Sequence, residues 1–283
     1  MRISGVLAGL LVGVVVTWTA TARAETAQQA HAAGGALLAQ GDLRGSLDAY
    51  ARAARADRSN QEYVQQYMLV RRAILLEDGL KKETDATRWE RTAQALRSFY
   101  VSQGAHRPAL AVDEQIHARR NTTWSAAQLA ETQLALDMAA EAAHVLSSLS
   151  PSHTNAATRS LLAVALARQG KADAARGIAD AVSLPDGADP GTLYTAARMH
   201  AAVGNTSRAL GLLTRCFEAV PPSLLGAIKG HAQRSPEFAA LASSGEFAEV
   251  LRTESKVPES KCSGGSSCAG CPMRGQCPKS RGQ

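Results

Sequence analysis

Aromatic side chains are scarce in this sequence, with only 4 Phe and 3 Trp among 283 residues. Proteins that grip bases or sugar rings stack them on aromatic platforms, so this composition argues against nucleic-acid and carbohydrate recognition of that kind. Catalytic signatures are missing as well. There is no G-x-S-x-G, H-E-x-x-H, C-x-x-C-H, Walker loop or dinucleotide glycine pattern, and the 7 His are scattered singly along helical stretches. A non-catalytic protein is expected. Charge of one sign is also short in the body of the chain. Of the formal +6, Arg2 and Arg23 lie at the N-terminus, and the residues from Glu254 onward hold five Lys or Arg against two acids. The helical body is thus close to neutral, and the basic pI is no nucleic-acid signal.

Only one long apolar run is present. Arg2, the apolar residues 3–21 and Ala22-Arg23-Ala24 before Glu25 read as a signal peptide with an A-x-A-type cleavage site. Residues 1–24 are therefore expected to be removed on export by the general secretory route, to a periplasmic or secreted location. An uncleaved anchor is the alternative, since the run nears the roughly 20 residues of a spanning helix, but its glycines and threonines favour cleavage. No stable membrane span is then expected in the mature chain. The alanine-rich composition reads as bacterial, so the Asn121-Thr122-Thr123 and Asn205-Thr206-Ser207 sequons carry no weight as glycosylation sites.

What is abundant is a repeat. From Trp89 to Pro221, apolar and small residues at helical intervals are followed by a turn, then by a second helical run with a small residue five positions on. The turns fall at Gly104, Asp137, Gly170 and Gly204, and the small residues at Ala109, Ala142, Ala175 and Ala209. The turns step by 33, 33 and 34 residues, the period of a helix-turn-helix solenoid. Near the N-terminus, Ala33-Gly34, Gly41-Asp42-Leu43, Ser46, Tyr50 and Ala53 fall at the same spacings. Between these, Ser59 is expected to cap a long helical run ended by Asp78-Gly79, with a contracted or irregular helical pair filling the interval. Neither helix of one pair can bury its apolar stripe alone, so the pairs are expected to stack.

These residues resemble tetratricopeptide repeats. The matching positions are Leu162-Ala163 with Gly170, Ala175 and Val182, and Ala196-Ala197 with Gly204, Ala209, Cys216 and Pro221. The resemblance implies an all-α, right-handed helix-turn-helix solenoid over residues 25–222. After Pro222 the run Pro236-Glu237-Phe238-x-x-Leu241, followed by Phe247-x-x-Val250-Leu251, resembles the end-of-group segment that closes many bacterial arrays of this kind. Residues 223–254 are expected to cap the exposed edge of the last pair. First-helix positions that would line the concave face are His31, Arg91, Gln94, Trp124, Glu131, Tyr194 and Arg198. A groove there would take an extended peptide or a partner helix, that is, a protein partner. A plain solvated helical face is the alternative reading of the same residues.

The tail, residues 255–283, is Gly-, Ser- and Lys-rich, without apolar periodicity, and reads as disordered or locally cross-linked. Four of the 5 cysteines lie there as Cys262-x5-Cys268-x2-Cys271-x5-Cys277. Two disulfides or a thiol-redox pair suit an oxidising compartment. A tetrahedral zinc site with four thiolates suits the x2 knuckle. An iron-sulfur cluster is a third possibility, though the spacing departs from the ferredoxin run. Apart from zinc at these cysteines, no cofactor is expected. Two functions follow from different classes: an exported interaction scaffold built from the repeats, or a metal or thiol-redox accessory protein working through the tail.

Overall fold

The computed structural model describes residues 25–258. Residues 1–24, expected to be a signal peptide, and the four tail cysteines lie outside them. Among the described residues the chain forms thirteen α-helices and two short 3₁₀ helices, with no strand. It divides into two compact units. One holds residues up to Leu38 and Asp42–Ile74; the other holds Ala39–Gly41 and the chain from Leu75 onward. No described helix is long and apolar enough to cross a membrane.

The first unit contains α1 (Ala27–Ala39), α2 (Leu43–Ala56) and the start of α3 (Gln61–Lys82). Here Gly34 has a packing reason to be glycine: a Cβ on it would stand 2.9 Å from the Tyr50 ring. The Ser46 hydroxyl donates to the Gly34 carbonyl at 2.9 Å, pinning α2 onto α1. The expectations for α3 need correcting. Ser59 is tied back to Asp57, and the Asn60 side chain instead accepts from the N–H of Glu62 at 3.0 Å. Asp78-Gly79 does not stop the helix, which runs to Lys82 with a Lys81–Glu77 pair at 3.0 Å across its last turn. One 22-residue helix thus stands where an irregular pair was expected.

The second unit continues with four helix pairs: α4 (Ala86–Ser102) with α5 (His106–Arg120), α6 (Thr123–Ala135) with α7 (Ala139–Ser147), α8 (Ala156–Arg168) with α9 (Ala172–Ala181), and α10 (Pro190–Ala202) with α11 (Thr206–Ala219). Each pair is closed by one and the same turn. Gly104, Asp137, Gly170 and Gly204 all take positive φ, at 68°, 61°, 75° and 84°. The N–H of the following residue then reaches back five positions: Ala105 to Tyr100, Met138 to Gln133, Lys171 to Leu166 and Asn205 to His200, at 2.8–3.0 Å. This is the Schellman closure, which satisfies carbonyls the helix end would otherwise orphan. Gly41, at φ 87°, closes α1 and α2 with the same bond from Asp42 to Leu37 at 3.0 Å. Five residues after each of the four turns, Ala109, Ala142, Ala175 and Ala209 are all at 0% exposure.

Helices of the second unit pack on their sequence neighbours, and the first helices α6, α8 and α10 pack on one another, as in an all-α solenoid. Two continuous apolar clusters run through it. One is centred on Leu134, Leu161 and Val164; the other, on Leu213, Phe217 and Phe238, draws in the C-terminal segment. The sequons prove to be caps: Thr122 forms a reciprocal capping box with Ser125, and the Asn205 side chain accepts from the N–H of Arg208.

Pro222 opens α12 (Pro222–Arg234), followed by the 3₁₀ turn Pro236–Leu241 and α13 (Gly245–Arg252). Phe238 stacks on Phe247 with centroids 5.9 Å apart and meets the Tyr194 ring edge-on at 6.2 Å. The segment does more than cover the last pair's edge. It bends back onto the first-helix face of α8 and α10, and the chain then returns along the end of α11, where Ser255 donates to the Val220 carbonyl and the N–H of Lys256 to that of Glu218.

Candidate partner-binding cleft

The first-helix face of the second unit carries a polar network of unusual depth. Arg198 on α10 is 3% exposed. Its Nη1 donates to both carboxylate oxygens of Glu131 on α6, at 2.8 and 2.6 Å, and its Nε donates to Glu237 Oε2 at 3.1 Å. Glu237 comes from the 3₁₀ turn and also accepts from Arg168 on α8, at 2.7 Å from Nε and 2.5 Å from Nη2, and from the Ser235 hydroxyl. Arg168 uses its remaining arm on the Leu134 carbonyl at 2.6 Å. Each charge is therefore paired and hydrogen-bonded, which a buried charge requires.

The network fixes protonation. Burial alone would raise the Glu237 carboxyl, but Arg198, the Ser235 hydroxyl and Arg168 more than reverse it and hold it at about 2. Burial pulls the other way on Arg198 too, and the two carboxylates hold its guanidinium above its ordinary value. Beside it, the Tyr194 hydroxyl and His231 Nδ1 lie 2.6 Å apart, joining α10 to α12. Burial raises the Tyr194 phenol, and partial desolvation with the adjacent Arg198 charge lowers the His231 imidazole. A second group lies nearer the start of the unit. Arg97 Nε donates to Asp113 Oδ1 at 2.6 Å, and the Thr132 hydroxyl to Oδ2 at 2.6 Å. There burial outweighs Arg97, and the Asp113 carboxyl sits above its usual value.

Between the two groups lies a cleft of about 680 Å³. Arg97, Glu131, Arg168, Tyr194 and Arg198 belong to its lining, and so do Ser102, His106, His231 and Arg234. Its size falls within the roughly 300–1,000 Å³ of ligand clefts.

Of the residues expected to line a concave groove, Glu131, Tyr194 and Arg198 are brought together here. Gln94 faces Gln128 at 3.2 Å on the adjoining stretch of α4 and α6. Arg91 is exposed, Trp124 is 48% exposed, and neither lines the cleft. His31 belongs to the other unit, where it packs on Tyr50 and Tyr63 at centroid distances of 5.2 and 4.9 Å. Sequence reasoning missed Arg97, Asp113, Arg168, His231, Arg234 and Glu237. One signal was available: an acid set between Pro236 and Phe238, inside an otherwise apolar run. Among the described residues no group of three or more His, Cys, Asp or Glu is placed to hold a metal. The zinc expectation rests on Cys262, Cys268, Cys271 and Cys277, outside them. No protein-family model, curated protein or solved structure matches this chain.

Proposed function

We propose that this chain is an exported, non-catalytic interaction scaffold of the tetratricopeptide type, which holds a protein partner against the first helices of its second unit. The observation that carries this reading is the recurrence of one turn, with the same φ and the same backbone bond, in successive helix pairs. Identical turns align the first helices, and aligned first helices present one polar face along the row. A pull-down from the native exported compartment with the mature chain, beside a chain ending at residue 254, tests it. Partner recovery is expected to survive loss of the tail.

The density of cysteines in a chain otherwise poor in them favours a second reading, in which the tail carries metal or thiol chemistry and the repeats dock it. Metal stoichiometry and free-thiol count on anaerobically purified protein separate the two. Stoichiometric metal that is lost in Cys268→Ser with Cys271→Ser supports the second, and oxidised, metal-free cysteines support the first.

A further inference from the structure

The cleft is unbalanced in charge. Of the four guanidinium groups in its lining, Arg97, Arg168 and Arg198 are paired with Asp113, Glu237 and Glu131, which leaves an excess of one cation at Arg234. Asp113 and Glu237 lie behind it, each already engaged by Arg97 or by Arg168 and Arg198. Arg234 is exposed and forms no ion pair among the described residues. One bound carboxylate is already visible. Glu237 reaches this face from a separate segment, 39 residues beyond Arg198, and is gripped by two arginines from successive first helices. The face thus already engages one carboxylate, supplied by the chain's own Glu237.

We infer that the open part of the cleft binds an acidic peptide segment of a partner protein, with its carboxylates beside Arg234 and the solvent-facing side of Arg97. The inference rests on the scaffold reading and names the partner's chemistry. The chain's own tail has the wrong sign for this place. Residues beyond 258 bring Lys261, Arg274, Lys279 and Arg281 against Glu259 alone. The chain also leaves along the end of α11, held by the Lys256–Glu218 pair at 2.7 Å. An acid-rich segment supplied by another protein meets both the uncompensated charge of Arg234 and the space. Such contacts steer encounter and fix register, and they weaken as salt screens them.

The experiment is selection of a random peptide display library on the immobilised mature chain, followed by anisotropy with fluorescein-labelled copies of the enriched peptides. Enriched sequences are expected to carry an excess of Asp and Glu. Replacing those acids by Asn and Gln, or the protein's Arg234 by Glu, is expected to weaken binding roughly tenfold, whereas Arg234→Lys stays within about threefold because the charge is kept. Because Arg234 is exposed, neither change threatens the fold. Enrichment of neutral or basic peptides that still protect cleft residues from hydrogen exchange would overturn the acidic assignment and leave the scaffold reading standing. Acidic binders indifferent to Arg234→Glu would overturn the assignment to this cleft. If no peptide is enriched at all, the scaffold reading falls, and this inference with it.

Discussion

Arg198 and Glu237 are 39 residues apart in sequence, yet the guanidinium of one donates to the carboxylate of the other at 3.1 Å, with both side chains at 3% exposure or less. This pair joins the repeat array to the segment that follows it. Removing one partner strands a buried charge, so Glu237→Ala is expected to cost about 3–5 kcal/mol. The loss is to be read from urea unfolding. A cost below about 1 kcal/mol, the usual range of surface pairs, would show that the pair is not buried as described.

The same carboxylate sets an acid response. Folded Glu237 titrates at about 2, against 4.5 for the ordinary group. Its depressed value means that its contribution, on the order of 3 kcal/mol, is full above about pH 4.5 and drains away as pH falls towards 2. Asp113, shifted upward by burial, works in the opposite sense and relieves a penalty on acidification. Denaturant midpoints followed from pH 6 to pH 2.5 are expected to fall less steeply in Glu237→Gln than in the parent, and more steeply in Asp113→Asn.

The turns make a paired prediction. A Cβ at Gly104, Gly170 or Gly204 would meet nothing within 4 Å, so any cost of adding one is conformational. Each Gly→Ala change is expected to destabilise by about 1 kcal/mol, because φ is positive there. At the equivalent place in α6–α7, Asp137 already bears that strain at φ 61°. Asp137→Gly is therefore expected to stabilise, by about 0.5–1 kcal/mol. Thermal unfolding that ranks Asp137→Gly below the parent would contradict this.

Local stability should differ sharply between neighbouring helices. Eight consecutive residues of α10, Leu193 to His200, are buried, whereas α12 buries only Ala232 and leaves Leu224 56% exposed. Few buried apolar contacts mean cheap local opening. In hydrogen exchange at neutral pH, α12 amides are expected to exchange well before those of α10 and α11. Equal protection would show that α12 is held by more than Tyr194–His231 and the Ser235–Glu237 anchor.

Cys216 is expected to be inert. It is 0% exposed, its thiol donates to the Pro190 carbonyl at 3.3 Å, and burial pushes it up to about 12. Peptide mapping after maleimide treatment is expected to find Cys216 modified only once the chain is unfolded. Modification in buffer alone would place it elsewhere than in the core.

The spacing of Gly104, Asp137, Gly170 and Gly204 announced the architecture because a left-handed residue leaves a local trace: few side chains tolerate positive φ, so the same residue types recur at each helix end. Ala109, Ala142, Ala175 and Ala209 were legible for a similar reason, since only a small side chain lets two helices approach there. The site was legible in part. First-helix spacing picks out Glu131, Tyr194 and Arg198, but not that Glu131 on α6 and Arg198 on α10 come within hydrogen-bond distance of each other. It equally picks out Arg91 and Trp124, which stay in solvent. Glu237 and Arg168 were invisible as partners because 69 residues separate them, and their meeting depends on how the C-terminal segment folds back. Asp78-Gly79 misled because a turn-forming dipeptide yields when the helix on either side of it is already formed.

On the function proposed here, partners dock on the aligned first helices of the second unit. Site-specific photocrosslinking in the producing cells tests it most directly, with p-benzoylphenylalanine placed at exposed Ala135 in the cleft and, as controls, at exposed Glu141 on α7 and Arg215 on α11. A discrete protein adduct is expected from Ala135→p-benzoylphenylalanine and none from the two second-helix positions. Adducts from α7 or α11 with none from Ala135 would contradict it.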